Sequence, residues 1–330
     1  MPGPRHLLKP RPDPALLSMV VPAYNEEAMI PLLRRQWTDF AQRLPCAVEL
    51  MIVNDGSTDE TLALLLDWAA MDRRVKVLGL ARNFGQQAAI TAGLDAAAGD
   101  AAIILDADLQ DPLDVIPEML AQYRQGYDVV YGQRTARDGE SWPKRLTAWA
   151  FYRLMRLFLH PNLPPDAADF RLLSRPCLDA LRTMRETHRF LRGMVAWAGF
   201  AQTAVPYHRR KRAAGETKYP LLKMVRFAWT AALSFSPAPL RLSLTGGLLV
   251  ALVGLCEGAY AVARALIIRD TTPGWTSMIA ITCLIGGAIL CSIGVLGEYI
   301  GRIFEESKGR PLYLVSTTMN IDPAQPGKSP

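Results

Sequence analysis

Apolar and polar residues alternate in blocks over the first 135 positions of the chain. Short apolar runs recur at 17–21, 48–53, 75–80, 101–105 and 128–131, and stretches with helical spacing lie between them at 27–44, 59–71, 86–97 and 113–125. Strands that alternate with helices predict an α/β fold, with a mostly parallel sheet covered on both faces. Ligands of such sheets bind beyond the carboxyl ends of the strands, so the turns after the strands are the candidate site.

Polar turns follow these runs. None carries the phosphate-binding patterns GxGxxG or GxxxxGKS/T, which disfavours a dinucleotide dehydrogenase and a P-loop ATPase. We expect Asp55, Asp106 and Asp108 to converge at one sheet edge, where carboxylates repel each other unless a cation or hydrogen-bond donors lie among them. Asp-x-Asp with a nearby amide oxygen suits Mg²⁺ or Mn²⁺, which also bridge to phosphates. A nucleoside diphosphate fits, with Asp55 accepting hydrogen bonds from the base. A single one of these motifs, taken alone, favours a plain capped or acidic turn; it is their combination after successive strands that points to a site.

The last third of the chain is much more apolar. Residues 278–297 carry no charge, and about 20 apolar residues are enough to cross the hydrocarbon core as a helix. A second run, 242–268, is interrupted only by Glu257 and Arg264. We expect a hairpin of two spanning helices rather than buried soluble helices. Basic residues flank the hairpin while its link offers only Arg269, so the positive-inside rule places both ends in the cytoplasm.

Composition adds a preference for anionic partners. The 330 residues carry a net charge of +6, which suits nucleic acid, a membrane surface or phosphorylated substrates. No nucleic-acid-binding motif accompanies the basic run at 208–212, so nucleic acid is disfavoured. Segments 141–159 and 219–235 combine aromatic and basic residues and are expected to lie as amphipathic helices in the headgroup layer; packing on the sheet is the alternative for the first.

Taken together, the motifs resemble a known family. PAYNEE (22–27), NDGSTDET (54–61), RNFGQQAAITAG (82–93), DADLQDP (106–112) and RRKRAAGETKY (209–219) are similar to those of family-2 glycosyltransferases that load a sugar onto a polyprenyl phosphate. The resemblance spans residues 17–316. It is greatest to bactoprenol glucosyltransferases of the GtrB type, and dolichyl-phosphate mannosyltransferases are more distant relatives. It implies a GT-A catalytic domain, Mg²⁺ or Mn²⁺ as cofactor, and inverting transfer of glucose from UDP-glucose to undecaprenyl phosphate. It also implies a homo-oligomer, by analogy a tetramer.

The resemblance assigns roles to individual positions. Asp106 would face the nucleotide sugar and act in catalysis, Asp108 and Gln110 would hold the metal, and Asp169 would serve as base or orienting carboxylate. For Asp169, a structural partner of Arg171 or another arginine is an equal alternative. The other carried-over positions bind substrate: Pro22, Tyr24, Glu26, Asp55 and Ala107 in the nucleotide pocket, Arg134 near the acceptor phosphate, and Arg209, Arg212 and Lys218 in a basic loop over the phosphates.

Two departures from the family pattern bear on which sugar or acceptor is preferred rather than on the reaction itself. Ala168 stands where the family often has glycine, and Thr230 to Leu233 replace an Asp-Gly-Ile before the membrane. The sugar stays open among glucose, mannose, N-acetylhexosamine and aminoarabinose. A non-catalytic membrane scaffold with a transferase-like domain is the alternative from another class.

The expected organisation has four parts. A disordered tail (1–15) precedes a cytoplasmic catalytic domain (16–235), a transmembrane hairpin (236–303) and a cytoplasmic tail (304–330). We expect a multi-pass protein of the plasma (inner) membrane with both termini cytoplasmic.

Overall fold

A computed structural model describes residues 8–134, 167–208, 238–267 and 274–321. The chain divides into two compact units, one formed by 1–220 with 311–330 and the other by 221–310. The expected interface helices at 141–159 and 219–235 lie outside the described residues.

The first unit is built on one sheet flanked by helices. Its described strands are β1 (Leu16–Ala23), β2 (Ala47–Asn54), β3 (Val75–Leu80), β4 (Ala101–Ile104), β5 (Val129–Arg134), β6 (Ala167–Ser174), β7 (Gln202–Tyr207) and β8 (Val315–Met319). Its described α-helices are α1 (Ile30–Ala41), α2 (Thr61–Met71), α3 (Gln86–Ala96), α4 (Ile116–Arg124), α5 (Arg175–Thr183) and α6 (Leu191–Ala198), and a 3₁₀ turn at Leu113–Val115 precedes α4.

The strand order is β7-β5-β6-β4-β1-β2-β3-β8. The centre is parallel: β1 pairs in parallel with β2 and β4, and β2 with β3. β6 runs antiparallel between β4 and β5, whereas β7 is again parallel to β5. This confirms the predicted α/β class with a mostly parallel sheet.

Alternate residues of the strands build two cores, one on each face. Leu17, Met19 and Val21 of β1 join a cluster that includes Trp37 of α1 and Trp68 of α2. Val20, between them, joins the opposite cluster with residues of α3, α5 and α6. The near-continuous apolar runs in the sequence therefore reflect strands covered by helices on both faces.

Parts of the two expected tails are packed on the first unit. Residues 8–15 are packed on the domain: the Arg11 guanidinium stacks 4.2 Å from the Tyr123 ring centroid and pairs with Asp128 at 3.1 Å. Within 304–330, β8 lies antiparallel to β3 at the sheet edge. Both segments have too few apolar residues to be recognised as structured from the sequence. Contacts with distant parts of the chain hold them in place.

Element boundaries shift where turns take residues from helices. The helix expected at 27–44 begins at Ile30, because residues 24–29 form the turn after β1, with Asn25 at φ +53°. The fifth strand continues to Arg134, three residues beyond the apolar run.

The second unit contains two long helices, α7 (Ala238–Ile267) and α8 (Trp275–Ser307). Both are long and apolar enough to cross a membrane, over Ser243–Tyr260 and Leu284–Ser307. They pack on each other, with a 2.8 Å hydrogen bond between the hydroxyl groups of Ser243 and Ser292.

Candidate active site

The sheet topology brings the candidate turns to one edge. The carboxyl ends of β1, β2, β3 and β4 share it because these strands are parallel. β5 and β7 end there as well, and β6 begins there because it is antiparallel to β4 and β5. Asp169, near the start of β6, therefore lies at the same edge as Asp55 and Asp106, although 63 residues separate Asp106 from Asp169 in the sequence.

The turns after β1 and β2 are joined to each other. The Asn25 amide oxygen accepts the Thr58 backbone N–H at 2.9 Å, and the Ser57 hydroxyl accepts the Asn25 N–H at 3.0 Å. The Glu26 N–H donates to the Thr61 hydroxyl at 2.9 Å. Pro22 lies in β1 opposite Val53, and Tyr24 is exposed. These contacts fix the backbone beside the expected nucleotide pocket.

Asp55 links the second turn to the third. Its side chain is buried, and its two carboxylate oxygens accept the Phe84 and Gly85 N–H groups at 2.8 and 3.0 Å. Burial raises the pKa of Asp55, although the two N–H groups and Arg82 act in the opposite direction. Each carboxylate oxygen can accept more than one hydrogen bond, so binding of a base stays a prediction.

Gly56, next to Asp55, makes this close approach feasible. Its φ is +65°, and a Cβ there would lie 2.3 Å from the Arg82 carbonyl carbon. Only glycine fits a backbone so close to a neighbouring turn.

The acidic turn after β4 holds the predicted metal ligands. Asp108 Oδ1 accepts the Gln110 N–H at 3.1 Å, which brings these two residues together, and Leu109 between them has φ +55°. Asp106 and Asp108 are half-buried, and Ala107 is buried. Asp111 accepts a 2.5 Å hydrogen bond from the Tyr207 hydroxyl, which ties this turn to the end of β7.

A divalent cation fits this donor set. Asp106, Asp108 and Gln110 offer hard oxygen ligands, and Mg²⁺ commonly uses one or two carboxylates with substrate phosphates and water completing its shell. Among the residues that the structure describes, no group of three His, Cys, Asp or Glu side chains forms a protein-only cage. Binding of Mg²⁺ or Mn²⁺ by Asp108 and Gln110 stays a prediction.

Asp169 forms an ion pair with Arg192 of α6. The Arg192 Nε lies 2.7 Å from Asp169 Oδ1, and both side chains are at least partly shielded from solvent. Arg171 is fully buried nearby; desolvation lowers its pKa to about 10, and the Asp169 charge partly offsets that shift. Arg192 is thus an arginine partner of Asp169, and a role for Asp169 as base stays a prediction.

The structure describes only part of the predicted basic site. Arg134 ends β5 at this edge, although only its backbone is described. Arg209, Arg212 and Lys218 lie outside the described residues, and β7 ends at Tyr207 shortly before them.

Three contacts at this edge involve residues that the sequence argument did not single out. The Gln86 amide donates to Asp106, Gln87 accepts from the start of α6, and Arg192 pairs with Asp169. For the glutamines a signal existed, because they lie in the RNFGQQAAITAG motif and begin the helix after the turn that follows the third strand. Arg192 had none, since its partner is 23 residues away.

Comparison with known proteins agrees with this architecture. The model of "Glycosyl transferase family 2" matches residues 18–182, and that of the "GtrB C-terminal hairpin" matches 238–303. The uncharacterized glycosyltransferase YkcC of Bacillus subtilis is 43% identical over 92% of this chain and 94% of its own. The bactoprenol glucosyl transferase of Shigella phage SfV is 38% identical over 91% of this chain and 97% of its own.

One solved structure matches this chain at lower similarity. Glucosyl-3-phosphoglycerate synthase from Mycobacterium tuberculosis, in complex with Mn²⁺, UDP-glucose and phosphoglyceric acid, has 21% identity and a TM-score of 0.45, covering 67% of this chain and 79% of its own.

The family matches and the observed sheet together define a glycosyltransferase with a mostly parallel α/β sheet. The chain belongs to glycosyltransferase family 2, and it carries the C-terminal hairpin of the GtrB type.

Proposed function

We propose that the protein transfers a hexose from a nucleotide sugar to a membrane polyprenyl phosphate, with glucose from UDP-glucose and undecaprenyl phosphate as the best-supported pair. The observation that carries this is the meeting at one sheet edge of an acidic turn and the Asp169–Arg192 pair, in a chain with two membrane-length helices. Relatives named bactoprenol glucosyl transferase, similar along more than nine tenths of the chain, support the lipid acceptor.

The acceptor chemistry suits such a site. A phosphate monoester is already ionised at neutral pH, so its oxygen needs little help from a base. Catalysis then depends on positioning and on stabilising charge. Asp169 is held by Arg192 at 2.7 Å, which suits a carboxylate that orients groups at the reacting centre. Inversion at the anomeric carbon follows from direct attack of the phosphate oxygen on the face opposite the leaving diphosphate.

The charges of the two substrates have counterparts in the chain. Asp108 and Gln110 would hold Mg²⁺ or Mn²⁺, which when bound neutralises charge that develops on the leaving diphosphate. Arg209, Arg212 and Lys218 are proposed to contact the same diphosphate. Arg134 is proposed to contact the acceptor phosphate, which its planar guanidinium can grip at two oxygens.

The proposal also covers location and assembly. The two apolar helices would anchor the protein in the plasma membrane, with the catalytic domain on the cytoplasmic side, where nucleotide sugars are made available. The expected homo-oligomer stays a proposal that native mass spectrometry of the detergent-solubilised protein can test.

The test uses the full chain in vesicles that contain undecaprenyl phosphate, with a panel of radiolabelled UDP- and GDP-sugars. We expect UDP-glucose to label the lipid fastest, and EDTA to stop labelling. Asp108→Asn should lower kcat/KM by at least about 100-fold. The substitution weakens an oxygen ligand of the cation, and that cation offsets the charge on the leaving diphosphate.

A matched control is available six residues along the chain. Asp114, exposed in the 3₁₀ turn, is changed to Asn in the same way and should leave transfer near the wild-type rate. Full activity of Asp108→Asn, or undiminished labelling in EDTA, would refute the metal assignment. If another nucleotide sugar labelled the lipid faster, the proposed sugar would change from glucose to that sugar, and the proposed reaction class would stand.

A further inference from the structure

Two adjacent glutamines begin α3, and they form hydrogen bonds in different directions. Gln86 Nε2 lies 3.0 Å from Asp106 Oδ1. Gln87 Oε1 lies 3.0 Å from the backbone nitrogen of Leu191, the first residue of α6. Neighbouring residues of one helix turn thus contact two separate parts of the candidate site.

The partners decide which end of each amide is used. An ionised carboxylate can only accept, so Gln86 must present its NH₂ group to Asp106. A backbone N–H can only donate, so Gln87 must present its carbonyl oxygen to Leu191. Gln86 is therefore needed as a donor and Gln87 as an acceptor.

The Gln87 contact acts on the other carboxylate of the site. The first N–H groups of a helix lack partners within it, and the residue before α6, Phe190, offers no capping side chain. Gln87 supplies a cap from another helix. Arg192, the next residue after Leu191, pairs with Asp169, so the position of this pair depends on where α6 begins.

The same turn also contacts the third carboxylate. The N–H groups of Phe84 and Gly85, immediately before α3, hold Asp55. Residues 84–87 consequently contact Asp55 and Asp106 directly and reach Asp169 through α6 and Arg192.

We infer that Gln86 and Gln87 are positioning residues of the transfer reaction: Gln86 orients Asp106 for the nucleotide sugar, and Gln87 orients the Asp169–Arg192 pair for the phosphate acceptor. The inference rests on the proposed function, because it assigns the two carboxylates to the two substrates.

The test is a crossed substitution at the two positions. Gln86→Lys keeps a hydrogen-bond donor beside Asp106. Gln86→Glu loses the donor and adds a like charge there. Gln86→Lys should therefore retain more transfer activity. Gln87→Glu keeps an acceptor and Gln87→Lys loses it, so the order should reverse at this position. We expect about a tenfold gap in kcat/KM within each pair, the effect typical of one charge-assisted or capping hydrogen bond.

The reversal separates positioning from helix stability. Both positions lie in the first turn of α3, where the helix dipole favours Glu over Lys. A merely structural role therefore predicts that Glu is better tolerated than Lys at both. Gln36→Glu and Gln36→Lys, on the exposed face of α1, serve as charge-matched controls and should leave transfer unchanged.

Substrate dependence gives the second readout. Gln86→Glu should raise KM for the nucleotide sugar or lower kcat, whereas Gln87→Lys should raise KM for the polyprenyl phosphate. Thermal unfolding shows whether each variant is folded, and Gln87→Met, of similar length but without a carbonyl acceptor, replaces Gln87→Lys if that protein does not fold.

Each outcome decides a separate claim. Opposite orders at the two positions, with the expected KM split, support the inference. The same order at both positions in a protein whose wild type transfers sugar overturns the inference and leaves the proposed function intact. A wild type that transfers no sugar from any donor overturns the proposed function, and the inference with it.

Discussion

At the scale of single residues, the site is organised by side chains that bind backbone groups of neighbouring turns. Asp55 illustrates this: its carboxylate is buried, and it holds the Phe84 and Gly85 N–H groups. Its burial has a cost that depends on pH, because desolvation raises its pKa. The residue thus fixes the shape of the site at the expense of some stability at neutral pH.

The pH dependence of stability should reveal this cost. A raised pKa means that the folded state binds the proton more tightly than the unfolded state, in which the pKa of Asp is about 3.9. The stabilising contribution of protonation is therefore present below about pH 4 and is lost as the pH rises through the raised pKa. Thermal midpoints of wild type relative to Asp55→Asn, measured in detergent between pH 4 and pH 7, should fall as the pH rises.

Asp59 in the same turn provides a control of opposite sign. Desolvation raises its pKa, but the hydrogen bonds from Thr61 and from the Glu27 N–H together outweigh it and lower the pKa overall. The contribution of Asp59 to the stability of the folded state is therefore present above about pH 4 and is lost as the pH falls through the lowered pKa. Asp55→Asn and Asp59→Asn profiles with the same slope would contradict the assignment for Asp55.

The carboxylates could be predicted from the sequence, but their partners could not. Asp55, Asp106 and Asp108 directly follow predicted strands, and parallel strands end at a common edge. The contacts of Gln87 and Arg192 join residues 104 and 23 positions apart. Such pairings depend on how helices pack on the sheet, which periodicity alone does not specify.

At the scale of elements, the unexpected feature is β8, which returns to the first unit and covers the edge of β3. Asn320 follows this strand with φ +59°, and its amide nitrogen donates to the Ala69 and Val75 carbonyls at 2.7 and 2.9 Å. Tyr313, just before β8, donates to Asp95 at 2.8 Å. The strand has no continuous apolar run because it lies at the exposed edge of the sheet, and it was therefore not recognisable from the sequence.

Substitution of Asn320 should measure how firmly this strand is held. Asn320→Gly removes both hydrogen bonds and should lower the free energy of unfolding by about 1–3 kcal/mol. Asn320→Ala removes the same bonds and adds the cost of a left-handed backbone, about 1–2 kcal/mol more. Urea unfolding of the two variants checks the order; equal stability of Ala and Gly at this position would argue against the left-handed conformation.

At the scale of the whole molecule, the mean hydropathy of +0.09 describes neither unit. It averages an α/β domain with two helices of membrane-spanning length. The fold class and both long helices could be predicted because their signals are periodic or continuous. The ordered segments at 8–15 and 315–319 could not, because contacts with distant residues stabilise them.

The proposed orientation in the membrane follows from the basic flanks of the hairpin. Alkaline phosphatase fused after Asp270, in the link, should be active in cells because it reaches the periplasmic side, and the same fusion after Ile321 should be inactive. Green fluorescent protein at the two points should give the reverse pattern. Active phosphatase at both points, or only after Ile321, would contradict the positive-inside assignment.

We propose that one sheet edge binds a nucleotide sugar and a lipid phosphate, and that the sugar is transferred from the first to the second. The most direct test of this proposal compares the wild type with Asp106→Asn in vesicles containing undecaprenyl phosphate, UDP-[¹⁴C]glucose and Mn²⁺, with label counted in the organic phase. We expect the wild type to produce glucose-labelled lipid and Asp106→Asn to be at least about 100-fold slower, because the carboxylate that faces the donor is lost. No labelled lipid from the wild type with any UDP- or GDP-sugar, or equal rates for the two proteins, would contradict it.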